Sequence, residues 1–234
     1  MPLRVLRKLS PARIRKFFYY LKREGVSGVS KRIDCCLAGT DIQQQLLQIN
    51  QVGSEFIKNI GEYEKISFTT WDNPTVSIII PVHNQFSYTY NCLESIWLNS
   101  GEVSYEIIVA NDCSTDMTTR ITEVVSGITV ITNEENLRFL RNCNNASRYA
   151  KGKYILFLNN DTQVQKNWLE PLISLIESDE KIGMEGSKLV YADGRLQEAG
   201  GMIWKDASAW NYGNRSDPNA PEYNYVKEVD YISG

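Results

Sequence analysis

An α/β domain built on a mostly parallel sheet, preceded by a helical extension, is the fold class this sequence predicts. Three observations carry it. From Thr75 onward short β-rich runs alternate with helical ones, polar and acidic residues collect just after those runs, and residues 1–72 show helical periodicity instead. With 234 residues, 42% of them hydrophobic and 11% aromatic, the chain can bury a full core.

In order along the chain, residues 1–32 hold ten Lys/Arg against the single acid Glu24, a charge of +9 that leaves the remainder at −12. A basic head on an acidic body points to an anionic surface as the head's partner, lipid headgroups or nucleic acid. The acidic body is a poor candidate for wrapping polyanions, so the expected partner is a membrane surface through residues 1–32, and no nucleic acid. Ser10 and Pro11 read as a helix N-cap and first helical residue, after which Ile14, Phe17, Phe18 and Leu21 share one face. Arg13, Lys16 and Arg23 flank that face and Tyr19 and Tyr20 add amphipathic rings, which suits a helix lying in a membrane interface. Packing of the same face on the body or on a partner domain explains it as well. Further on, Ile42, Leu46, Ile49, Phe56 and Ile60 predict a second amphipathic helix over 41–60, a packing helix rather than a coiled coil because fewer than three clean heptads are present. Residues 61–74 read as a linker. The expected division is 1–72, a basic helical extension and linker, and 73–234, the sheet domain.

In the body, strands are predicted at 76–81, 105–110, 128–131 and 154–158, and helices at 87–98, 115–125, 140–150 and 168–178. Such sheets bind ligands at the carboxyl ends of their strands, where strand order reverses. Three ends are polar: Pro81-Val82-His83-Asn84, Asn111-Asp112-Cys113-Ser114-Thr115-Asp116 and Asn159-Asn160-Asp161-Thr162. Neither GxGxxG at a strand end nor GxxxxGK[ST] occurs, so a dinucleotide fingerprint and a P-loop are unsupported. Five cysteines without CxxC spacing and the single histidine His83 argue against a zinc cluster. The apolar runs fall far short of the roughly 20 residues of a spanning helix, and no signal-peptide core follows Met1. The expected location is cytoplasmic, peripheral on the inner face of the cytoplasmic membrane.

The order and spacing of VSIIIPVHN, EIIVANDCSTD and GKYILFLNNDT resemble the GT-A domain of glycosyltransferase family 2. The resemblance runs from about Pro74 to Gly234 and takes in DGRLQEAGGMIW and WNYG, as in bacterial members that build O-antigens and other surface polysaccharides. It implies an inverting transferase that moves a hexosyl or deoxyhexosyl unit from a nucleotide-diphospho-sugar donor to a glycan or lipid-linked acceptor, with Mn²⁺ or Mg²⁺ as cofactor. By that resemblance Asp112 accepts a hydrogen bond from the nucleotide base; capping of the following helix is the alternative. Pro81, His83 and Asn84 fall in the base and ribose loop, His83 for contact or stacking rather than catalysis.

Asn159-Asn160-Asp161 occupies the place of the family's DxD motif. The diphosphate that leaves during transfer needs a divalent cation, and Asp161 is the one carboxylate of the trio, hence the expected metal ligand. Asn160, expected with Asp161 to contact the nucleotide-sugar, stands where a second acid is common, which predicts weak metal binding until donor phosphates complete the shell; a plain Asn/Asp turn is the alternative. Asn136-Leu137-Arg138-Phe139 and Asn144 match the NxGF region except that Arg138 replaces glycine, and Arg138 either reaches the diphosphate as a fixed charge or is solvated at a helix start. Asp193-Gly194 is a predicted hairpin turn, and Glu198-Ala199-Gly200-Gly201 is a candidate sugar or acceptor contact. In the resembling enzymes the base that deprotonates the acceptor follows the stretch aligned with 229–234, so the catalytic base is expected after Gly234 and this chain alone is expected to transfer poorly. Asp193, Glu198 and Asp230 are the other candidates. A sugar-nucleotide-binding or partner-supporting module without catalysis is the competing reading.

Overall fold

In the computed structural model, which describes residues 59–233, the chain enters the core at Ile60. The head helix and almost all of the predicted helix 41–60 lie outside the described residues. The segment 61–74 is not a linker. Ile66 and Phe68 are buried, and β1 (Ile66–Ser67) pairs in parallel with β4 (Val125–Ser126). The short alternation that buries those two side chains is too brief to stand out as a periodic pattern.

The described residues fall into two units, one comprising 59–187, 200–210 and 229–233, the other 188–199 and 211–228. The larger holds a four-stranded, wholly parallel sheet made of β2 (Val76–Val82), β3 (Tyr105–Asn111), β5 (Thr129–Thr132) and β6 (Tyr154–Phe157), in the order β5-β3-β2-β6. All seven residues of β2 are buried, as expected for a central parallel strand covered on both faces. On one face Ile78, Ile80 and Val82 pack with Ile107 and Val109 of β3 and with Phe86, Tyr90, Leu93 and Ile96 of α1 (Phe86–Asn99). On the other, Ile79, Ile108 and Ala110 meet Ala146 of α2 (Arg138–Ala146). Helix α3 (Leu169–Ile176) sets Leu169 into the first cluster.

Two predicted helices differ in extent. For 115–125 the chain forms a 3-10 segment, Met117–Glu123, because Asp116 caps it at Thr118 N (2.9 Å) and the residues after it turn into β4. Helix α2 starts at Arg138 and gives way at Ser147–Tyr149 to a 3-10 turn, so it is earlier and shorter than 140–150. Gly152 fits because its amide donates to Ser77 Oγ (2.8 Å); a Cβ there would stand 2.5 Å from Ser77 N. That close approach brings the chain back alongside β2 to start β6.

In the smaller unit β7 (Leu189–Val190) runs antiparallel to β8 (Leu196–Glu198). The predicted turn joins them: Gly194, at φ 82°, donates to Tyr191 O (2.8 Å). Leu196 is fully buried. Tyr212 and Tyr223 meet edge to face at 5.1 Å, and Lys227 Nζ sits 3.2 Å from the centre of the Tyr212 ring.

Candidate functional site

Strands β3 and β6 lie on opposite sides of β2, so strand order reverses at β2, the place where such sheets bind ligands beyond their carboxyl ends. Ile79 O accepts from Leu158 N (3.0 Å) and Val82 O accepts from Asp112 N (2.7 Å), so odd residues of β2 face β6 and even ones face β3. Pro81 is odd and has no N–H to offer. The β6 ladder stops just there, which frees 159–161 from the sheet. Pro81 itself is buried in β2 opposite Ala110. It acts on the site by ending the ladder.

Next to it the loops after β2 and β3 are stitched together by side chains. Asn84 N donates to Ser114 Oγ (2.7 Å), Asn84 Oδ1 accepts from Thr115 N (2.8 Å) and Asp116 N (3.3 Å), and Asp116 Oδ2 accepts from Phe86 N (2.9 Å) at the start of α1. His83 is exposed and its Nδ1 lies 2.6 Å from Asp112 O. An approach that short between a ring nitrogen and a carbonyl requires the proton on Nδ1, which leaves Nε2 as an acceptor when the ring is neutral.

Asp112 is 3% exposed, and its carboxylate is already engaged. Oδ1 accepts from Asn133 Nδ2 (2.9 Å) and Leu137 N (2.7 Å), and Oδ2 accepts from Arg138 N (2.8 Å). It therefore caps a helix, but α2 rather than the segment that follows it in sequence. Of roughly four acceptor positions on a carboxylate, one remains. Behind it stands an asparagine relay the sequence reading passed over: Asn133 Nδ2 also donates to Asn142 Oδ1 (2.8 Å), Asn142 Nδ2 donates to Ala110 O (2.8 Å), and Asn145 Nδ2 donates to Asn133 Oδ1 (2.9 Å). The signal was five asparagines within 133–145.

Four residues other than glycine around these loops have left-handed backbones: Asn84 (φ 60°), Gln85 (63°), Cys113 (60°) and Arg138 (61°). Each such residue costs about 1 kcal/mol or more and persists only where its surroundings over-determine it. The hydrogen bonds above supply that constraint.

At the end of β6, Asn160 Nδ2 donates to Thr89 Oγ1 of α1 (3.0 Å), while Thr162 Oγ1 donates back to Asn159 O (2.7 Å). These bonds hold the turn inward and leave Asp161 exposed, its carboxylate without a hydrogen-bond partner among the described residues. Beneath it Cys92 is fully buried, and burial pushes its thiol up to about 12, with the Asp161 charge adding to the rise. The thiol is inert. Among the described residues no group of three or more His, Cys, Asp and Glu stands together to hold a metal ion. A divalent ion fits here only as a shared ion, with Asp161 as protein ligand and phosphates and waters completing the shell.

The three other candidate acids are otherwise placed. Arg195 forks onto Asp193, Glu198 is 1% exposed, and Asp230 Oδ2 accepts from Ile203 N (2.8 Å). No helix among the described residues is long and apolar enough to cross a membrane.

The family described as "Glycosyl transferase family 2" has a sequence model that matches residues 77–219. An uncharacterized glycosyltransferase of Haemophilus influenzae is 32% identical over 120 residues, which cover 50% of this chain and 37% of that protein. The putative teichuronic acid biosynthesis glycosyltransferase TuaG of Bacillus subtilis is 31% identical over 54% of this chain and 51% of its own length. The O-antigen biosynthesis protein RfbC of Myxococcus xanthus is 27% identical over 59% of this chain and 11% of its own. The match thus spans about half or less of the length of these relatives.

Proposed function

Because the chain belongs to glycosyl transferase family 2, and its parallel sheet with helices on both faces is the GT-A arrangement, we propose that it binds a nucleotide-diphospho-sugar for inverting transfer of a hexosyl or deoxyhexosyl unit to a surface glycan or lipid-linked acceptor. One observation carries the reading: an exposed carboxylate without a hydrogen-bond partner among the described residues, Asp161, at the carboxyl edge of the sheet beside the strand-order reversal. The nucleoside end meets the loops after β2 and β3, where His83 Nε2 and the remaining acceptor position of Asp112 are the available polar groups. The diphosphate lies toward Asp161 and Arg138. Asp161 would hold a divalent cation, which would supply charge neutralisation on the leaving diphosphate. Arg138 adds a fixed positive charge that needs no proton. Asn160 keeps the turn against α1 so that Asp161 points outward. Asp193 is paired with Arg195, Glu198 is buried and Asp230 accepts from Ile203 N, and the proposed role of this chain is donor binding within the transfer.

Calorimetric titration with uridine, guanosine and thymidine diphospho-sugars tests it. Saturable binding of one of them should need Mn²⁺ or Mg²⁺, be reversed by EDTA, and fall about tenfold or more in Asp161→Ala, the loss of a charge-assisted contact worth about 1.5–3 kcal/mol. Metal-independent binding, or unchanged affinity in the variant, would place the diphosphate elsewhere.

A further inference from the structure

The smaller unit carries an open, charged depression of its own. Its volume is about 370 Å³, and Tyr191, Ala192, Asp193, Arg195 and Arg215 line it. Two guanidinium groups face one carboxylate. Arg195 is committed: Nε donates to Asp193 Oδ2 (2.7 Å), Nη2 donates to the same oxygen, and its backbone N donates to Oδ1 (3.0 Å). Arg215 is not, since its guanidinium has no hydrogen bond or ion pair among the described residues. It nevertheless lies close enough to matter: the Asp193 carboxyl is held below its ordinary range first by the hydrogen bonds from Arg195 and then by the charges of Arg195 and Arg215. Among the described residues the lining therefore keeps one unmatched positive charge.

The backbone makes the same point independently. Arg215 has φ 63°, fixed between its own N–H bond to Leu196 O (2.7 Å) and the bond from Leu196 N to Ser216 O (2.9 Å). Glycine adopts that conformation freely, whereas a residue with a Cβ pays about 1–2 kcal/mol. An arginine at a position that prefers glycine points to a use for its side chain.

We propose that this cavity binds an oxyanion, the phosphate or carboxylate group of an acidic glycan, with Arg215 as the charge that holds it and Arg195, locked by Asp193, as the second wall. Only the word glycan rests on the proposed function; the anion site itself does not. The full chain is titrated with inorganic phosphate and, separately, with glucuronate, at low ionic strength and without metal or nucleotide, and followed by calorimetry. Saturable binding of at least one acid is expected, with phosphate pointing to phosphodiester-linked polymer and glucuronate to a uronic acid. Arg215→Gly, which relaxes the backbone and so protects folding, should weaken it at least tenfold, and Arg215→Lys should restore most of it. Binding of neither acid, or equal affinity in wild type and Arg215→Gly, overturns the proposal. Donor binding is measured in a separate titration, so failure of one reading is not failure of the other.

Discussion

At Arg138 a backbone preference and a charge pull in different directions. The NxGF pattern that residues 136–139 resemble has glycine at this position, and the φ of 61° suits glycine: the first residue of α2 is left-handed and its N–H reaches Asp112 Oδ2. Replacing Arg138 with glycine releases about 1 kcal/mol of strain but adds about 0.5–1 kcal/mol of chain entropy on folding. Arg138→Gly should therefore unfold in urea within about 0.5 kcal/mol of wild type, the two contributions nearly cancelling. Donor affinity, in contrast, should fall about tenfold if the guanidinium meets the diphosphate. Unchanged affinity would make Arg138 a solvated residue, the alternative the sequence left open.

At the scale of the element, α2 begins where a carboxylate from another strand tells it to. Leu137 and Arg138 donate their amides to Asp112, which comes 25 residues earlier at the end of β3. A cap that distant cannot be read from the local signals that mark helix starts, which is why the expected start was late. The same reason hid the 3-10 form of Met117–Glu123, whose cap Asp116 also holds the start of α1. By comparison β2 and α1 were legible almost to the residue, because a run such as Val76-Ser77-Ile78-Ile79-Ile80 allows few alternatives. Asp112→Ala should thus act on the fold as well as on the ligand. It removes the acceptor of Asn133 Nδ2 and of Leu137 N, while Arg138 N keeps Asn136 Oδ1 (3.0 Å), at a cost of about 1–3 kcal/mol. Urea unfolding should register that loss, and hydrogen exchange should speed first at the amides of residues 137 and 138. A stability unchanged from wild type would return Asp112 to a purely ligand-facing role.

For the whole molecule, the sequence pointed to three polar strand ends but not to how their side chains are divided between holding the loops together and facing outward. Asn84, Asn160 and Asp112 were chosen as contacts, and each spends hydrogen bonds on the protein: Asn84 on the loop after β3, Asn160 on α1, Asp112 on α2. Only packing decides this, since the residue types suit either task. Among the described residues Asp161 is the predicted acid left outward and without a hydrogen-bond partner, and in the proposed donor site a single carboxylate would set the order in which ligands stabilise the chain. One carboxylate holds Mg²⁺ or Mn²⁺ weakly, because such ions keep most of their waters until phosphates replace them. Metal alone should therefore barely move the thermal midpoint, and the nucleoside diphosphate alone should do little more. Together at about a hundredfold excess over the dissociation constant they should add about 2.7 kcal/mol, a rise of about 5–10 °C for a chain of this size. Thermal scans with each ligand and with both distinguish this from a preformed metal site, which would show the larger part of the rise with metal alone, and in Asp161→Ala the joint effect should shrink to the sum of the two small ones.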